Sequence, residues 1–272
     1  MFKINNLTYQ YEKESLALNN ISMDFSNGDV IGIIGSNGSG KSTLFMNLMG
    51  IIKPKSGEIL FRGKPLKYDK KSLYELRKNA GIVFQDPEKQ IFYSKVYDDI
   101  AFSLRNIGLD EDTIRERITK ALKAVNGMDF INKPIHFLSY GQKKRVAIAS
   151  VIAMENEIVL LDEPTAGLDP VSTRLIVDII KGLKENGIKI VISSHDMNLM
   201  YEICDYMYIL NKGSISSHGA VEDVFLNEEL IKEAGLELPW LVKIHKNMNL
   251  PLFRAEEGLY KYWNEQIACD KV

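Results

Sequence analysis

The chain has 272 residues, with 34 Lys plus Arg set against 36 Asp plus Glu, a formal net charge of -2. Hydrophobic residues at 45% and charged residues at 26% suffice for a buried core and exclude global disorder. The near-neutral balance argues against a dedicated nucleic-acid binder, whose footprint is a basic excess.

Asn20-Ile21-Ser22-Met23-Asp24-Phe25 alternates apolar and polar residues, as a half-buried strand does, and Asn27-Gly28 marks a turn after it. Val30–Ile34 is apolar without alternation, the pattern of a parallel strand covered on both faces. A glycine-rich loop and a helical pattern over Lys41–Met49 follow. Glu58–Phe61 reads as a strand among Pro54, Gly57 and Gly63, and Gly81–Phe84 as a strand that ends at Gln85-Asp86-Pro87. From about Val96 to Asn126 the pattern is helical and charged. Gly141–Met154 reads as a helix, Ile158–Leu161 as a buried strand, Val171–Glu185 as a helix and Ile188–Ile192 as another buried strand. Met207–Ile209 and Ser214–Ser216 flank the hairpin signal Asn211-Lys212-Gly213. Alternating buried strands and helices give an α/β fold with a mainly parallel central sheet.

The tail from Gly219 onward is less regular, with two short helices expected over VEDVFLNEELIKEAG and mixed apolar and basic residues beyond. Cys204 and Cys269 have neither metal-ligand spacing nor a disulfide framework and read as reduced thiols. Residues 1–11 lack a signal-peptide layout, and no apolar run reaches the roughly 18 residues of a membrane span.

Gly35-Ser36-Asn37-Gly38-Ser39-Gly40-Lys41-Ser42 matches G-x-x-x-x-G-K-[ST] between a buried strand and a helix. Glycines let the backbone turn its N–H groups inward to form an anion nest, aided by the positive end of the next helix. Lys41 is placed to charge-pair the β- and γ-phosphates of ATP, Ser42 to ligate Mg²⁺ and Thr43 to bond the α-phosphate. Asp162 and Glu163 end a buried strand, where open parallel sheets gather their ligands. Asp162 suits Mg²⁺, and Glu163, expected to point away from it by strand alternation, suits the general base for an attacking water. His195 follows a third buried strand and is expected near the γ-phosphate, and Gln85 near Mg²⁺ or the attacking water.

Leu138-Ser139-Tyr140-Gly141-Gln142 resembles the LSGGQ signature of ATP-binding-cassette ATPases, and the motifs above stand in that family's order. Residues 35–43 resemble Walker A, Gln85 the Q-loop, and Asp162 and Glu163 Walker B with its catalytic glutamate. Residues 166–169 resemble the D-loop, and His195 the switch histidine; Tyr11 falls where the family sets an aromatic against adenine. The resemblance implies a P-loop NTPase cassette over residues 1–218, with an N-terminal antiparallel β-subdomain and a helical subdomain inserted at about 86–150, followed by a small extension at 219–272. It also implies that Ser139, Gly141 and Gln142 grip the ATP of a partner cassette in a head-to-tail dimer. Tyr140 stands where the family has Gly.

The stretch 84–92, LSYGQKKRVAIA and Ala234–Pro239 further resemble energy-coupling-factor ATPases, with the nearest resemblance to cobalt-import members; nickel and vitamin members share these motifs. That group implies a peripheral place on the cytoplasmic face of the cell membrane. Its partners are a second ATPase, identical or different, a transmembrane coupling subunit and a substrate-binding membrane subunit. Gln90, Ile91, Phe92, Tyr93, Val96 and Tyr97 are either the core of the helical subdomain, the groove for a membrane-subunit helix, or both. The tail can pack on the cassette, touch the partner ATPase or touch the membrane complex, and of these an ATPase–ATPase contact is expected. A soluble cassette ATPase of translation or DNA repair is disfavoured by the single cassette, the short insertion and the lack of sustained heptads.

Overall fold

The computed structural model describes residues 1–12 and 16–269, with side chains in the last helix as far as residue 266. The side chain of Cys269 lies outside the described residues. In chain order, β1 (Phe2–Gln10) and β2 (Leu16–Asp24) lead into β3 (Val30–Ile34) and α1 (Lys41–Leu48). Then come β4 (Ser56–Phe61), β5 (Lys64–Pro65), α2 (Lys70–Asn79) and β6 (Ala80–Val83). Helices α3 (Val96–Asn106), α4 (Glu111–Ala124) and α5 (Tyr140–Ala153) follow. Next are β7 (Ile158–Asp162), α6 (Pro170–Glu185), β8 (Lys189–Ser193), α7 (Met197–Ile203), β9 (Tyr206–Asn211) and β10 (Ser214–Ala220). The chain closes with α8 (Val221–Leu226), α9 (Glu228–Glu233), α10 (Trp240–Met248) and α11 (Glu256–Cys269).

Among the described residues the strands form two sheets. The larger has the order β10-β9-β3-β8-β7-β6 and is parallel except at its β9–β10 edge. The smaller, β2-β1-β4-β5, is antiparallel. Alternation along the buried strands builds two cores. Val159 and Leu161 of β7 and Ile190 and Ile192 of β8 face one layer, where α3, α4, α5 and α6 also bury their apolar residues. Ile158 and Leu160, with Val191, face the other, shared with α1 and the antiparallel sheet. Gly32 allows close approach in the middle of β3, because a Cβ there would lie 2.2 Å from Met207 Sδ and 2.9 Å from Cys204 Sγ.

Several boundaries differ from the sequence expectation for local reasons. The helical stretch at 96–126 is broken in two, by Gly108 at φ +81° and by Asp110, whose side chain caps α4 at Thr113 N–H. The signature helix starts at Tyr140 rather than Gly141, and α6 at Pro170 rather than Val171. Ser139 and Asp169 are their respective N-caps. α2 is not among the expected elements; it buries only Leu76, and Asp69 caps it at Ser72 N–H. The irregular tail sequence forms α10, which buries Leu241 and Val242 against the main core. Among the described residues, no helix is long and apolar enough to cross a membrane.

Leu160 is fully buried between β6 and β8. Leu160→Ala is expected to lower the unfolding free energy by about 2–5 kcal/mol, read from the urea midpoint.

Candidate functional site

The loop between β3 and α1 lines one cleft of the molecule. Gly40 caps α1 at φ +110° with no side-chain cap, which leaves the first-turn N–H groups to a ligand. A Cβ at Gly40 would lie 2.5 Å from Ala17 O, so the position requires glycine. Lys41 is 7% exposed and its Nζ donates to Gly35 O (2.8 Å) and Ser36 O (3.2 Å). Burial lowers its pKa, against the attraction of Glu163 and Asp162. The hydroxyl of Ser39 is buried with no hydrogen-bond partner among the described residues. A cradle of free donors around a buried ammonium fits a phosphate chain.

The cavity over this loop is about 970 Å³ and holds residues 35–43 together with Tyr11, Gln85, Glu163 and His195. Tyr11 is tied to the loop by a hydroxyl contact with Thr43 Oγ1 at 3.2 Å, and its ring stands edge-on to Tyr9.

Parallel pairing of β7 with β8 sets Asp162 opposite Ser193. Ser193 Oγ donates to Asp162 Oδ1 at 2.6 Å and accepts from Glu163 N–H at 3.1 Å. Both carboxylate residues are buried, at 3% and 5% exposure. The direction of Glu163 is not set by strand alternation as expected. β7 ends at Asp162, and Glu163 adopts φ +47°, which turns its carboxylate toward His195. Glu163 Oε2 accepts from His195 Nδ1 at 2.7 Å and from its backbone N–H at 3.3 Å. A carboxylate partner on Nδ1 leaves Nε2 facing away from Glu163 for a ligand.

Ser139, Gly141 and Gln142 do not line this cavity. They open α5 in a reciprocal capping box: Ser139 Oγ accepts from Gln142 N–H at 3.3 Å, and Gln142 Oε1 from Ser139 N–H at 2.9 Å. The box satisfies the N–H groups of Ser139 and Gln142 within the chain itself.

A family model for ABC transporters matches residues 18–166. The chain belongs to the ABC transporter ATPase family. Among similar proteins, the cobalt import ATP-binding protein CbiO of Salmonella typhimurium is 48% identical over 260 residues, 96% of each chain. The energy-coupling factor transporter ATP-binding protein EcfA of Methanocaldococcus jannaschii is 44% identical over 250 residues, 90% of each chain. The solved structure of CbiO1 from Clostridium perfringens, part of the ABC transporter complex CbiONQ, superposes with a TM-score of 0.76 at 43% identity, covering 90% of this chain and 98% of that one. This ABC ATPase therefore carries the cassette fold with its antiparallel sheet and helical subdomain.

Three parts of the site escaped sequence reasoning. Ser193 was legible only through its register with Asp162. Residues 235–238, Trp240 and Lys243 of the tail also line the cavity, held there by Trp240 N–H donating to Asn198 Oδ1 at 2.8 Å; no local signal foretold this. The third part is the wall that α2 supplies, through Leu73 and Tyr74, to an apolar groove of about 1330 Å³ lined also by Phe92, Phe102, Met49 and Phe84. Asp69 caps that helix at Ser72 N–H. The 90–97 cluster divides between core packing and exposure. Val96 is fully buried and Ile91 and Tyr97 pack on the core, whereas Phe92 is 80% exposed and Tyr93 stacks on Phe102 at 5.3 Å.

Lys41→Ala is expected to weaken ATP binding by tenfold or more, about 1.4 kcal/mol, as measured by titration with a fluorescent ATP analogue.

Proposed function

We propose that this chain is the ATP-hydrolysing subunit of an energy-coupling-factor importer that drives cobalt ion uptake through a separate transmembrane subunit. The observation that carries the reading is the convergence of Lys41, Gln85, Glu163 and His195 on one cavity over a phosphate loop. The cobalt assignment rests on the likeness to CbiO, and the importer class on the likeness to EcfA as well.

In this reading Gly35, Ser36, Asn37, Gly38, Ser39, Gly40, Lys41, Ser42 and Thr43 bind the phosphates of ATP, and Tyr11 meets the adenine ring. Lys41 releases its two loop carbonyls and pairs with the β- and γ-phosphates. Glu163 orients the attacking water and takes its proton. His195 keeps the Glu163 carboxylate directed through its Nδ1–H and presents Nε2 to the γ-phosphate. Ser42, Gln85 and Asp162 offer a hydroxyl, an amide and a carboxylate, the hard oxygen donors that Mg²⁺ takes. They would hold that ion, which supplies charge neutralisation at the phosphate oxygens. Burial keeps Asp162 in place through Ser193 rather than through solvent.

The cassette spans residues 1–218 with the helical subdomain at about 86–150, and residues 219–272 form the extension. The capped terminus of α5, with Ser139, Gly141 and Gln142, serves the ATP of a second cassette, identical or different, packed head to tail. The extension adds to that contact. The groove beside Phe92 receives a short helix of the transmembrane coupling subunit, which works with a substrate-binding membrane subunit, and the chain sits at the cytoplasmic face as a peripheral protein. Exposure of Phe92 at 80% beside an apolar wall supports a buried partner there.

Glu163→Gln is expected to keep ATP binding and to lower turnover by about 10²- to 10⁴-fold. Phosphate release and equilibrium nucleotide binding measure the two parts separately, and wild-type turnover would remove Glu163 from the role. Phe92→Ala with Tyr93→Ala is expected to weaken capture of the membrane subunit by about tenfold or more while ATP affinity is kept. Co-purification of the complex from detergent extracts reads the first, and intact assembly would return both rings to a structural part.

A further inference from the structure

The helix that begins after Ser139 carries a buried cation that the hydrolysis scheme does not use. Lys144 is 0% exposed. Its Nζ donates to Glu163 O at 3.1 Å and reaches Phe84 O at 3.5 Å. Burial pushes its pKa down to about 8, against the attraction of Asp162, Glu163 and Asp86. One turn earlier on the same face, Tyr140 donates its hydroxyl to Gln85 O at 3.1 Å. Its ring lies against Gly167, where an added Cβ would stand 3.3 Å from the ring carbon Cε1 and where φ is +76°. Lys143, between them, pairs with Glu88.

α5 therefore grips the ends of two strands. It holds Gln85 through its carbonyl, and Glu163 through its carbonyl as well. Glu163 needs holding, because a left-handed non-glycine residue persists only where its surroundings fix it. Ser193 fixes its N–H, His195 its carboxylate and Lys144 its carbonyl. Packing alone does not call for an ammonium at this place, since an apolar side chain of similar length fills the same space without desolvating a charge.

We propose that Lys144 and Tyr140 are positioning residues that lock the backbones of Glu163 and Gln85 to the first turns of α5, and so hold the side chains of those two residues toward ATP. The proposal rests on the roles given above to Glu163 and Gln85. It gives Tyr140, the residue that replaces a family glycine, a task in this chain.

The test uses the full-length protein purified with its membrane partners, assayed for Mg-ATP hydrolysis and thermal midpoint. Lys144→Met is expected to lower kcat by about tenfold, with KM within about twofold of wild type and the midpoint unchanged or raised. Lys144→Gln, which restores a donor, is expected to recover part of that loss. Tyr140→Phe, which keeps the ring on Gly167 and removes one hydrogen bond, is expected to lower kcat by about threefold with KM and midpoint unchanged. Should Lys144→Met fail to fold, Tyr140→Phe decides the matter alone, and wild-type kcat there overturns the proposal. Wild-type kcat in both variants, or a kcat loss matched by a falling midpoint, also overturns it. Glu163→Gln is run in parallel. Wild-type turnover in that variant overturns the hydrolysis reading and the proposal with it. Loss in that variant beside full turnover in the other two overturns the positioning role alone.

Discussion

The parallel pairing of β7 with β8 decides where the charges of this protein lie. Its register brings Asp162 to Ser193, and the chain then turns at Glu163 into a left-handed conformation that aims a second carboxylate at His195. Two acids buried this deeply are tolerable only when each has partners, and each has them: a serine hydroxyl for Asp162, a histidine Nδ1–H and a backbone N–H for Glu163. Lys41, drawn from the neighbouring strand's loop, balances their field. The hydrophobic faces of the sheet hold these strands in register, so the two cores fix the site without touching a ligand.

Much of this was legible because the motifs are local. The loop over 35–43 is a run of consecutive residues whose glycines and lysine act through backbone geometry, so spacing alone carries its chemistry. Buried parallel strands announce themselves as apolar runs, as Val30–Ile34 and Ile158–Leu161 do, and the carboxylates at their ends follow. The parts that sequence reasoning missed depend on contacts across long separations. Ser193 gains its role from a strand thirty-one residues away from its own, counting from Asp162. The tail wall at Trp240 depends on Asn198, forty-two residues earlier. α2 was hidden for a different reason. It buries one residue, Leu76, and is polar along most of its length, so it offers no apolar run.

The helical subdomain and the extension are joined to the cassette by polar clamps as well as by apolar packing. Arg254 shows the pattern for the extension. Its guanidinium donates to Cys204 O at 2.5 Å and to Glu202 O at 3.4 Å, pairs with Glu222, and lies over the Tyr201 ring at 5.2 Å. The carbonyls it takes belong to the end of α7, whose first turn follows His195. Planar, multi-donor recognition of this kind suits arginine rather than lysine. The tail is thereby referenced to both ends of α7, by Trp240 near its start and Arg254 at its finish.

The cavity wall runs from Tyr11 near the beginning of the chain to Lys243 near its end. The antiparallel sheet, the loops that follow the parallel strands and the tail all contribute to that wall. Binding and global unfolding are then linked by mass action: a ligand at a hundred times its Kd adds about 2.7 kcal/mol to the stability of the native chain. That is a large share of the roughly 5–15 kcal/mol that a typical native protein possesses. The durability of this fold is thus tied to how much of its nucleotide is in solution, and the same contacts that hold a substrate hold the three parts of the molecule together.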